Sequence, residues 1–84
     1  KMKSVNRTLA DPALDDVDHA LGRPRNPFKS YRSHYVVSAG TDLATAMAAS
    51  PWWKESVRMN NGNDIVFHVT AAGRQALADH LIEN

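Results

Sequence analysis

The sequence predicts an α+β domain of three helices, a β-hairpin and a candidate third strand, on three observations. Asn60-Asn61-Gly62-Asn63 is strong turn chemistry, and Ile65-Val66-Phe67-His68-Val69 follows it as a β-branched and aromatic run. Thr70 then offers a hydroxyl cap to a helix over residues 71–81, so a strand runs straight into a helix and fixes the hairpin against it. Upstream, Asp11-Pro12 and Thr41-Asp42 are start signals for two further helices, which Gly22 and Pro51 end.

Residues 1–10 lack clear periodicity and are expected to form a partly ordered arm; residues 11–84 form a single domain. In the arm Lys1, Lys3 and Arg7 are basic, and Val5 and Leu9 are candidates to dock on the core. In the first helix Asp11 caps the orphan amides and Pro12 loses no hydrogen bond at the first position. Leu14, Val17 and Leu21 form an apolar stripe, and the acids Asp11, Asp15, Asp16 and Asp18 are expected on a solvated face rather than in a metal site. Arg23-Pro24-Arg25-Asn26-Pro27 cannot continue a helix and makes a stiff connection, with Phe28 and Tyr31 as its expected anchors. Tyr35-Val36-Val37 is the candidate third strand. In the second helix Leu43, Ala44, Met47 and Ala48 give a face of small apolar side chains suited to close packing.

Residues 52–59 read as the first hairpin strand. Period two puts Trp53, Glu55, Val57 and Met59 on the inward side and Lys54, Ser56 and Arg58 on the other. Two adjacent Trp side chains cannot both point inward from one regular strand, so Trp52 either covers the core edge or stands exposed as a candidate binding anchor, unless a bend buries both from opposite sides. The returning strand puts Ile65, Phe67 and Val69 together. In the last helix Ala72, Ala76, Leu77 and Leu81 form the packing face, Gly73 marks a close backbone approach, and Arg74 and Gln75 face outward.

A chain of 84 residues supports one domain with one modest core. The absence of cysteine excludes disulfides and thiolate metal sites. Ten basic and nine acidic residues give a net charge of +1, so bulk charge lends no support to nucleic-acid binding. No apolar run approaches the roughly 20 residues of a membrane span, and no signal-peptide pattern is present, which fits the cytosol and no membrane partner. His19, His34, His68 and His80 form no ligand motif, and the isolated glycines make no phosphate loop. The reading is therefore of a non-enzyme with no catalytic residues, metal or cofactor.

The strongest local charge bias runs from Arg23 to His34, where Arg23, Arg25, Lys29 and Arg32 occur without an acid, interleaved with Tyr31 and His34. Such a segment suits phosphate contact or a protein partner, and equally a loop crossing the acidic first helix of its own chain. The candidate partner surface is Arg23, Arg25, Lys29, Tyr31, Arg32, His34 and Trp52. The alternative nucleic-acid contacts are Thr41, Thr45, Lys54 and Arg58. The second helix offers no Arg, Lys, Asn or Gln for base readout, and the hairpin tip is polar and near neutral.

Three blocks in this order carry a resemblance: Asp18-His19-Ala20-Leu21-Gly22-Arg23, then Tyr31-Arg32-Ser33-His34-Tyr35, then residues 67–77 with Val69-Thr70-Ala71-Ala72-Gly73 and Leu77. Together they resemble a family of small phage and prophage proteins of uncharacterised function. Ser33 departs from that family's usual Asn, and Pro51-Trp52-Trp53-Lys54 from its usual strand entry. The Val-Thr-x-x-Gly ending is also similar to the wing strand and last helix of winged helix-turn-helix regulators. The resemblance implies a phage origin, a winged-helix-like fold and a place in the host cytoplasm. By analogy with small phage proteins, it implies a binding protein that blocks a host protein or nucleoprotein complex, as anti-CRISPR proteins do. The alternatives are a winged-helix DNA-binding regulator and a phage structural or assembly protein, as monomer or dimer.

Overall fold

The structure is a computed structural model that describes residues 7–83. Lys1, Lys3 and Val5 of the expected arm, and Asn84, lie outside the described residues. Helix α1 (Pro12–Ala20) starts as its sequence dictates, with the Asp11 carboxylate accepting from the Ala13 amide at 3.0 Å and Pro12 opening the first turn. It ends where Gly22 adopts φ +79°, and Arg23 follows at φ +50°, a left-handed conformation uncommon for a residue with a side chain. A 3₁₀ turn, Pro27–Lys29, leads to strand β1 (His34–Ser38). Helix α2 (Asp42–Ala49), the hairpin β2 (Trp53–Met59) and β3 (Asp64–Val69), and helix α3 (Ala71–Glu83) complete the domain.

The third strand is real. β1 pairs antiparallel with β3, and β2 pairs with the other edge of β3, giving the order β1-β3-β2. Phe67 on the central strand packs in one core with Val17 of α1, Met47 of α2 and Leu77 of α3. All three helices therefore cover the face that carries Val37, Ile65, Phe67 and Val69. The opposite face carries His34, Val36, His68 and Lys54; His34, Val36 and Lys54 are exposed, while Val66 between them is buried.

The turn and caps follow the sequence. Asn60, Asn61 and Gly62 take positive φ in succession, as this Asn-rich turn chemistry permits. Thr70 accepts from the Gly73 amide at 3.2 Å and donates to the Pro51 carbonyl at 2.6 Å, tying the start of α3 to the entry of β2. Gly73 is buried, and a Cβ there would lie 2.7 Å from the Trp52 carbonyl oxygen and 2.7 Å from Val69 Cγ1, the close approach its position implied.

Several packing expectations are corrected. The inward side of β2 holds only at Trp53. Glu55 and Arg58 sit opposite Phe67 and Ile65, yet every residue of β2 after Trp53 is exposed, and a bulge between Glu55 and Arg58 breaks the alternation. Val57 and Met59 are consequently exposed. Met59→Lys should therefore change stability by less than about 0.5 kcal/mol in a denaturant titration. Helix α2 is not tightly packed: only Ala44 and Met47 are buried, and Leu43 and Ala48 face solvent. In α3 Ala72 is exposed, and Gly73, Leu77 and Ala78 make the buried face.

Candidate interaction surfaces

The acids of α1 do not share a solvated face. Asp18 is 0% exposed, because it lies one turn from both Leu14 and Leu21 on the buried side of the helix. Its carboxylate accepts from Arg7 through Nε at 2.9 Å and through Nη2, and from Arg23 Nη1 at 3.0 Å. Arg7 also donates to the Pro24 carbonyl at 2.9 Å. Arg23 Nη1 reaches Asp15 at 2.6 Å, and the Leu9 amide donates to the same carboxylate at 3.0 Å. Residues 7–9 of the expected arm are thus fastened to α1, and Arg23 is spent within the chain.

The electrostatics follow from these bonds. The Arg23 guanidinium, then the Leu9 amide, hold the Asp15 carboxyl below its usual range. A carboxyl depressed in the folded state adds stability above its unfolded value, and that stability is lost as pH falls through the depressed folded value. Arg23 is in turn raised, first by its bond to Asp15. Asp16 behaves oppositely: burial pushes its carboxyl up, against the Tyr35 hydroxyl, which donates to it at 3.2 Å. Its contribution is present at low pH and is lost as pH rises through the raised value. Asp16→Asn keeps an acceptor for Tyr35 and should raise stability at neutral pH by less than about 1 kcal/mol. The gain should vanish when melts are repeated in acid.

The rest of the basic segment is presented rather than consumed. Among the described residues no carboxylate pairs with Arg25, Lys29 or Arg32, and all three are exposed. The anchors expected here are corrected. Phe28 is 52% and Tyr31 90% exposed, so neither holds the segment down. Arg74, expected to face outward, does this instead by donating to the Pro27 carbonyl at 2.6 Å, while the Ser30 hydroxyl donates to the Leu21 carbonyl. Arg32 lays its side chain over Gly22, where an added Cβ would sit 3.0 Å from Arg32 Cδ.

His34 joins this surface through the sheet. It lies opposite His68, with ring centroids 6.1 Å apart, and Lys54 lies opposite His68 from the other side. The Ser33 hydroxyl is 3.0 Å from His68 Nδ1. This face of the sheet thus carries a row His34–His68–Lys54, which joins a residue of the partner-surface set to one of the nucleic-acid set. Sequence reasoning left His68 out, although strand pairing of residues 34–37 with 65–68 would have placed it there.

The other nucleic-acid candidates are occupied. Thr41 donates to the Ser38 carbonyl at 2.7 Å and caps Ala44, Thr45 donates to the Thr41 carbonyl at 3.3 Å, and Arg58 Nε pairs with Glu55 at 3.2 Å. Trp53 is buried against Tyr35, with ring centroids 5.7 Å apart, while Trp52 is half-buried at the core edge. Trp52 lines a groove of about 410 Å³ together with Asp16, Leu43, Ala46 and Met47, and none of Arg25, Lys29 or Arg32 lines it. Among the described residues no cluster of His, Asp or Glu is arranged to hold a metal ion. No helix is long and apolar enough to cross a membrane among them. No family model, no curated protein and no solved structure matches this chain.

Proposed function

We propose that the protein is a phage-encoded binding module that attaches to a host macromolecular machine, with a CRISPR effector complex as the instance its resemblance suggests, and blocks it. One observation carries this reading. Arg23 is neutralised by Asp15 and Asp18, yet among the described residues no carboxylate pairs with Arg25, Lys29 or Arg32, which stand exposed in the same segment as Tyr31, the most exposed of the described large apolar side chains. Arg and Tyr are the residue types that dominate binding energy when a partner desolvates them. Such a surface fits an acidic or phosphate-bearing face on the target.

The finer fold reading is winged-helix-like, supported by the sheet order β1-β3-β2 and by the exposure of β2 beyond Trp53, which would serve as the wing. That arrangement keeps a DNA-binding regulator as the second reading. It is the weaker one, because the hydroxyls of Thr41 and Thr45 are spent on backbone groups and α2 presents alanines to solvent.

The test is capture from a host lysate on immobilised protein, with Arg25→Glu/Arg32→Glu and Tyr31→Ala as comparison. The proposal expects one assembly to be retained by the unaltered protein and reduced at least about tenfold by either variant, with unchanged melting. Tight, sequence-specific binding to duplex DNA at physiological salt would overturn it in favour of the regulator. A non-specific contact would instead weaken steeply with salt, in proportion to the few phosphates neutralised.

A further inference from the structure

A second surface, distinct from the exposed cations, lies between α1 and α2. Helix α2 is alanine-rich, and its Ala46 is exposed, so the helix leaves a groove rather than filling the space towards α1. The floor and walls are Met47, Trp52, Trp53 and Leu43, and the volume of about 410 Å³ falls at the lower end of the range for specific pockets. One ionisable group lines it. Asp16, on α1, spends one carboxylate oxygen on the Tyr35 hydroxyl at 3.2 Å, and among the described residues no donor reaches the other. A carboxylate at an apolar wall, with a free oxygen and an indole nearby, is complementary to a cation carried on an aliphatic stem.

We propose that this groove docks a peptide segment of a partner protein in which a large apolar side chain lies next to a Lys or Arg. The apolar side chain rests on Trp52 and Met47, and the cation pairs with Asp16. Burial already disfavours the Asp16 carboxylate, so an incoming cation has a desolvated charge to compensate. A purely apolar occupant would leave that charge further buried and unpaired, which is what selects the basic residue. The inference goes beyond the cationic-surface reading and does not depend on it, since it uses the opposite sign of charge.

The test is selection of displayed short random peptides on the unaltered protein, with counter-selection on Ala46→Trp. Ala46 is exposed, so this change fills the groove without entering the core, and circular dichroism checks that the fold is kept. The expected outcome is enrichment of peptides with a bulky apolar residue and a Lys or Arg within one helical turn of it. A synthesised winner should bind Asp16→Asn about tenfold more weakly. Enriched peptides without a basic residue, binding retained by Ala46→Trp, or no enrichment at all would each overturn the proposal. Any of these leaves the lysate capture and its arginine variants unaffected.

Discussion

Asp18→Ala is expected to lower the thermal midpoint by roughly 10–20 °C, a larger effect than any surface substitution should produce. Asp18 has no exposed surface and compensates two guanidinium groups, Arg7 and Arg23. Removing one partner of a buried ion pair costs about 3–5 kcal/mol, because the remaining charge stays desolvated. The two arginines keep 19% and 22% of their side-chain surface in contact with solvent, which places the loss at the lower end. Arg7→Ala should cost less, since Asp18 retains Arg23. In a double-mutant cycle Arg7 and Asp18 should couple by about 0.5–3 kcal/mol. A midpoint for Asp18→Ala within about 2 °C of the unaltered protein would show that the cluster does not hold the domain together.

Gly73→Ala is expected to destabilise by about 2 kcal/mol, although alanine is the better helix former by about 1 kcal/mol. The added methyl would sit 2.7 Å from the Trp52 carbonyl oxygen, which accepts from the Thr70 amide at 2.8 Å and so cannot retreat without breaking the β2–α3 junction. Val69 Cγ1, at 2.7 Å, belongs to a stiff β-branched core residue. Urea denaturation checks this. A stabilised Gly73→Ala would mean that α3 can lift from the hairpin at little cost.

Asp18 and Gly73 also mark where sequence and structure part. The hairpin and the Thr70 cap were legible because each depends on neighbours a few residues apart: a left-handed Asn/Gly turn and a hydroxyl three residues before an amide. Gly73 was legible as a close approach from its place in a helix, but not the distant Trp52 carbonyl that it approaches. Asp18 was half-legible. It stands four residues after Leu14 and three before Leu21, so helical spacing alone puts it on the buried side. What the sequence could not reveal was its partner, since Arg7 lies outside the helix and Arg23 reaches it only from a left-handed backbone conformation. The exposed stretch of β2 was not legible, because an alternating pattern says nothing of whether a helix extends far enough to cover it. The same holds for the segment of Phe28 and Tyr31, which is held through its Pro27 carbonyl by Arg74, from a helix late in the chain.

The candidate surface was legible as composition and not as arrangement. A run of four cations without an acid is visible in residues 23–34, but only folding decides that Arg23 turns inward and Arg25, Lys29 and Arg32 do not. His34 gains Lys54 and His68 as neighbours through strand pairing, which brings together residues separated in the chain.

That division of the arginines is the central claim, and guanidinium NMR tests it most directly. An ion-paired guanidinium rotates slowly about its Cζ–Nε bond and shows resolved Nη signals, whereas a solvated one averages them. The expected result is resolved Nη signals for Arg7 and Arg23, lost for Arg7 in Asp18→Ala, and averaged signals for Arg25 and Arg32. Resolved signals for Arg25 or Arg32 in the unaltered protein, or averaged ones for Arg23, would contradict it.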